Sequence, residues 1–145
     1  MTRATSLARL ADWPVRLQRL ICARLTQPFA WGLNDCFLFA ADVLHAITGH
    51  DAAADLRGRY ASEREARRLL RDLGGMRALA EARFGARTAP ALCLPGDIGL
   101  APQGRTVLLV ACTGVHWVAP TRAGLQPGPL PLRAWAVAAP VTPHG

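Results

Sequence analysis

Lysine is absent from this chain. Its 17 basic side chains are all arginine, set against 10 acidic ones, for a formal charge of +7. Such a surface could meet nucleic acid, anionic lipid or an anionic wall polymer. The arginines are scattered, however, and the densest group (Arg64, Arg67, Arg68, Arg71) falls on one expected helix, where it reads as a solvated face. With no nucleic-acid-binding motif present, specific nucleic-acid recognition is not expected. Also missing are a C-x-x-C pair and any Cys/His cluster at zinc-finger spacing: Cys22, Cys36, Cys93 and Cys112 stand far apart. That leaves no structural metal site, no cofactor motif and no disulfide framework, and fits synthesis in a reducing compartment. Long apolar runs are lacking at the amino end, where Arg3, Arg9, Arg16, Arg19 and Arg24 interrupt residues 1–25. The expectation is therefore neither a signal peptide nor a membrane span.

What is present describes a globular domain. Apolar residues make up 51% of the 145 and charged ones 19%, enough for one substantial core. No repeat or linker divides the chain. Residues 5–11 read as a short helix, and Asp12-Trp13-Pro14 starts a second, amphipathic one to about Leu25. Asn34 or Asp35 caps an apolar helix from Cys36 to Gly49. A polar connector, His50 to Tyr60, precedes the capping box Ser62-x-x-Glu65, which opens a helix to about Leu73; Gly74-Gly75 breaks it before another helix from Met76 to Phe84. The pattern then changes. Short strands are expected at Ile98–Ala101, Thr106–Cys112, His116–Ala119 and Arg133–Ala138, with 125–132 irregular. Helices followed by strands predict an α+β domain: N-terminal helices (1–27), the Cys36 helix with a helical insertion (28–89), an antiparallel sheet (90–138) and a loose tail (139–145).

The stretch that carries chemistry is Pro28-Phe29-Ala30-Trp31-Gly32-Leu33-Asn34-Asp35-Cys36. It puts a thiol at the first turn of a buried helix, where free N–H groups and the helix dipole favour the thiolate. Cys36 is thus a candidate nucleophile; the other reading is a small apolar residue in a core. Trp31 is expected to pack over this helix. Asp35 could shape the site or simply cap the helix. Asp97 reads as a turn residue, and Arg57 and Tyr60 as a loop clamp or a ligand contact. His45 lies nine residues beyond Cys36, roughly 13 Å along the helix, too far to act as its base.

Residues 28–49 and 94–125 resemble the NlpC/P60 family of papain-like cysteine peptidases, through Trp31-Gly32, Asp35-Cys36, Pro95-Gly96-Asp97 and the paired runs Thr106–Gly114 and His116–Ala119. A narrower likeness, carried by Trp31-Gly32-x-Asn34-Asp35-Cys36, Leu56-Arg57-Gly58-x-Tyr60, Gly74-Gly75 and Ala134-Trp135, is to relatives of that family, a domain of unknown function encoded among phage and prophage tail-tip genes. The resemblance implies a papain-like fold in which the nucleophile-bearing helix packs on a small antiparallel sheet. It also implies Cys-His cleavage of cell-wall peptide stems without metal or cofactor.

The departures are specific. The family histidine at the start of the central strand is replaced by Arg105-Thr106-Val107-Leu108, and the third polar residue falls near Val118. Phe29 and Phe37 stand where the family has tyrosine and a small residue. His116, two residues from Val118, is the candidate replacement base, with Asp35, Trp31 and Asn34 in support; a base must come within roughly 3–3.5 Å of the sulfur. The other reading of His116 is an inert hairpin-edge side chain.

Two functions follow from the resemblance. One is a tail-tip peptidase acting on peptidoglycan through Cys36. The other is an inactive structural protein that keeps the fold and contacts hub or other tail-tip proteins. In either case the protein is expected to be made in the bacterial cytoplasm and carried in the virion tail tip.

Overall fold

The computed structural model describes residues 7–137. Among the described residues four α-helices precede all six strands of an antiparallel sheet, so the molecule is α+β. The helices are α1 (Trp13–Arg24), α2 (Cys36–Thr48), α3 (Glu63–Asp72) and α4 (Met76–Arg83). The strands are β1 (Ala86–Thr88), β2 (Ile98–Gln103), β3 (Thr106–Cys112), β4 (Trp117–Thr121), β5 (Gly124–Pro127) and β6 (Arg133–Ala136), in the spatial order β1-β6-β2-β3-β4-β5. Among the described residues, no helix is long and apolar enough to cross a membrane.

α2 is the organising element. Phe37, Leu38, Phe39, Ala40, Ala41, Val43, Leu44 and Ile47 are all buried along it. A helix apolar nearly all round must be enclosed on several sides. Here α1 lies against it on one side and β3 and β4 on another. Strand alternation divides the sheet into two faces. Ile98, Leu100, Leu109, Ala111, Val118 and Trp135 join the helical core, while Ala101, Leu108, Val110 and Ala119 form a smaller cluster with Trp117. The segment 128–132 follows the strands closely: Gly128 N donates to the Trp117 carbonyl and Leu132 N to that of Leu100. Gly99 has no side chain, which lets Pro131 lie against β2.

Four differences from the sequence reading have physical causes. Residues 7–11 are not helical: Leu10 N donates to the Ile47 carbonyl at the end of α2, and Arg9 is drawn into the core. Residues 86–88 belong to the sheet, which therefore starts before residue 90, and Thr88 pairs with Ala134. Residues 124–127 form β5 rather than an irregular run, because Pro127 sits at the end of an edge strand, where a missing N–H is tolerated. β4 begins at Trp117, so His116 belongs to the preceding turn. The expected loose tail, 139–145, lies outside the described residues.

Candidate functional site

Asp35 initiates α2. Its Oδ1 accepts from Leu38 N at 2.9 Å, closing the first turn, and its Oδ2 accepts from Gly32 N at 3.0 Å and from the Tyr60 hydroxyl at 2.6 Å. One buried carboxylate thus ties together the aromatic-glycine loop, the helix start and the end of the connector. Gly32 is required for this closure: its φ is +78°, and a Cβ there would fall on the Tyr60 carbonyl oxygen. Neighbouring Asn34 is fully enclosed, donating to the carbonyls of Gln27 and Pro28 and accepting from Arg24. Arg24 also pairs with Asp42 on α2, and Asp42 takes Arg57 as a second partner; Arg57 in turn grips Asp51, holding its carboxyl below the usual range. Trp31, expected to pack over the helix, is less enclosed than its neighbours. It is 38% exposed and meets Phe29 edge-on.

The same logic governs the Pro-Gly-Asp turn. Asp97 Oδ2 accepts from Leu94 N at 2.8 Å, which fixes the turn, and Oδ1 accepts from Arg9 at 2.7 Å and from Val137 N at 3.3 Å. The Arg9 and Asp97 side chains are 0% and 1% exposed. Arg9 also donates to the carbonyls of Pro95 and Val137 and stacks over Trp13. The only hint of this in sequence is an arginine set within an otherwise apolar segment.

Cys36 occupies the first position of α2, and it packs against both the helical core and the small cluster of Ala101, Leu108, Val110 and Ala119. The residue is half-buried. Burial pushes the thiol up to about 11; the Asp35 carboxylate pushes the same way, and the backbone amides of Leu109 and Phe37 offset only part. Desolvation therefore outweighs the helix-start effect, and the thiol is neutral at pH 7.

His116 stands elsewhere. It is exposed on the turn between β3 and β4, its N–H donating to Thr113 Oγ1 and its carbonyl accepting from Thr113. β3 ends at Cys112, three residues and roughly 10 Å along the strand from Leu109. Because β4 starts only at Trp117, strand alternation does not carry His116 to the face of Val118. No hydrogen bond joins Cys36 and His116. His45 and His50 are exposed as well, and among the described residues no histidine is hydrogen-bonded to Cys36. Nor do any three His, Cys, Asp or Glu side chains among them gather as a metal-ligand set.

Burial has a consequence at high pH. The Tyr60 hydroxyl is raised far above its usual 10, first by burial and then by its bond to the Asp35 carboxylate, while Cys36 rises from 9.0 to about 11. Both groups stay protonated in the folded protein after the unfolded chain has begun to ionise. Their contribution to stability is therefore complete below pH 9 and is lost as pH climbs through 9 to 11 and beyond. Urea unfolding as a function of pH is expected to show this decline, and Tyr60→Phe is expected to flatten the part above pH 10.

These features define an α+β domain in which a loop-anchored helix presents a half-buried cysteine to an antiparallel sheet. Residues 8–137 match the family described as "Domain of unknown function (DUF6950)", and the chain belongs to that family. No curated protein and no solved structure matches it.

Proposed function

We propose that this protein is a structural component of a phage or prophage tail tip, with an NlpC/P60-like, papain-like fold that no longer works as a peptidase. The likeness rests on the order of parts: an aromatic-glycine loop, Asp35-Cys36 opening the central helix, Pro95-Gly96-Asp97 leading into β2, and the β3–β4 hairpin. The observation that carries the loss of chemistry is that no imidazole among the described residues is hydrogen-bonded to Cys36, whose thiol is pushed up to about 11 by burial. A cysteine peptidase needs a thiolate and a proton acceptor within hydrogen-bond reach. Asp35, the acid beside it, already accepts from Leu38 N, Gly32 N and the Tyr60 hydroxyl. In this reading Asp35, Asn34, Trp31 and Cys36 build a rigid corner, and hub or neighbouring tail-tip proteins are the partners.

One observation favours the rival reading, a wall-peptide hydrolase: Cys36 stands at an accurately capped helix start, where free N–H groups could stabilise an oxyanion. Incubation of the purified protein with peptidoglycan sacculi separates the two. The structural reading predicts no new amino groups or soluble stem peptides, and it predicts that Cys36→Ala supports tail assembly as well as the parent. Release that disappears in Cys36→Ala would establish the hydrolase instead.

A further inference from the structure

At the β1–β6 end of the sheet a cleft of about 400 Å³ is lined by Arg87, Thr88, Ala89, Pro90, Leu132 and Arg133. Four described arginines are not exposed: Arg9, Arg24, Arg83 and Arg133. The first three are held by Asp97, Asp42 and Asp55. Arg133 alone has no carboxylate or carbonyl partner among the described residues. Arg87 stands opposite Trp135 in the β1–β6 register, and Arg133 is two residues from Trp135 on β6. Both guanidiniums therefore leave the same face of the sheet, as diagonal neighbours. Arg87 is already paired with Glu81 on α4, which makes it the exchangeable member of the two.

We propose that this cleft binds an extended, carboxylate-bearing segment of another protein. A carboxylate of the segment seats on Arg133, with Arg87 as second contact, and its backbone runs along the outer edge of β1. Guanidinium forks match carboxylates in a bidentate way. Pro90 and the 76% exposed Leu132 line the same cleft, which suits a peptide with apolar residues between its acids better than a bare inorganic anion. β1 ends the sheet, and among the described residues the backbone of Ala86–Thr88 makes no hydrogen bond beyond its pairing with β6. Strand addition at a free edge supplies main-chain bonds, and alternate side chains supply selectivity. The formal charge of +7 favours an acidic partner. The proposal does not depend on whether Cys36 is catalytic.

The test is a titration of the isotopically labelled full chain, followed by amide NMR, with an N-acetylated, C-amidated hexapeptide of alternating glutamate and valine. Saturable shifts confined to residues 86–90 and 132–135 are expected. Affinity should fall at least tenfold in Arg133→Gln and stay unchanged in Arg105→Gln, an exposed arginine on the β2–β3 turn. Equal binding of the glutamine–valine peptide would overturn the proposal without recourse to any variant. So would equal loss in both arginine variants, shifts elsewhere, no saturation at millimolar peptide, or binding of inorganic phosphate alone.

Discussion

Asp97→Ala is expected to destabilise the protein by about 3–5 kcal/mol, the usual cost of stranding one member of a buried ion pair. The substitution leaves Arg9 charged, enclosed and without its carboxylate, and it also deprives Leu94 N and Val137 N of their acceptor. Three distant pieces depend on that carboxylate: the N-terminal segment, the turn before β2 and the strand end after β6. Denaturant unfolding should show a lowered midpoint. The double variant Arg9→Met/Asp97→Leu should recover much of the loss, since removing both charges removes the desolvation penalty together with the attraction. A loss below about 1 kcal/mol in Asp97→Ala would mean that the pair is not enclosed as described.

Asp35→Ala is expected to cost about 3 kcal/mol, from the lost helix cap and from leaving the Tyr60 hydroxyl and Gly32 N–H without a partner. Tyr60→Phe removes only one of those bonds and should cost less. In a double-mutant cycle the two should couple, because they share one contact 2.6 Å long. The structural account predicts that this coupling appears in unfolding free energy. If Asp35 were instead a group used in catalysis, Asp35→Asn would leave stability nearly unchanged and remove a wall-cleaving activity.

Much of the architecture could be read from the residues because local signals and packing agree. The capping carboxylate Asp35, the apolar α2 and the Ser62-x-x-Glu65 box placed α2 and α3 within a residue of their observed bounds. β3 was legible as an uninterrupted apolar, β-branched run. β1 was not: it is three residues long with no apolar alternation, and its strand state comes from pairing with β6 at the far end of the chain. Residues 7–11 misled for a related reason. Their apolar spacing suits a helix, but Arg9 reaches Asp97, which lies 88 positions later. No local pattern encodes such a partner.

The candidate site divides in the same way. Position marked Cys36, Asp35 and Asn34 as the start of a buried helix, and Tyr60 and Arg57 as residues that clamp a loop. Whether the thiol would ionise could not be read locally. A helix start argues for a thiolate, whereas the sheet that folds over it, from residues 98–121, argues against one. His116 depended on where β4 begins, and a one-residue difference decides whether alternation applies to it.

The central claim is that Cys36 is a half-buried packing residue with a raised thiol pKa and no histidine partner among the described residues. Its most direct test is the pH dependence of Cys36 alkylation in the folded protein, resolved by peptide mass spectrometry, with exposed Cys22 as an internal reference. The account predicts that Cys22 reacts first, that Cys36 becomes reactive only as pH approaches about 11, and that His116→Ala leaves the profile unchanged. Rapid alkylation of Cys36 below pH 7 that is lost in His116→Ala would contradict it and establish a working Cys-His pair.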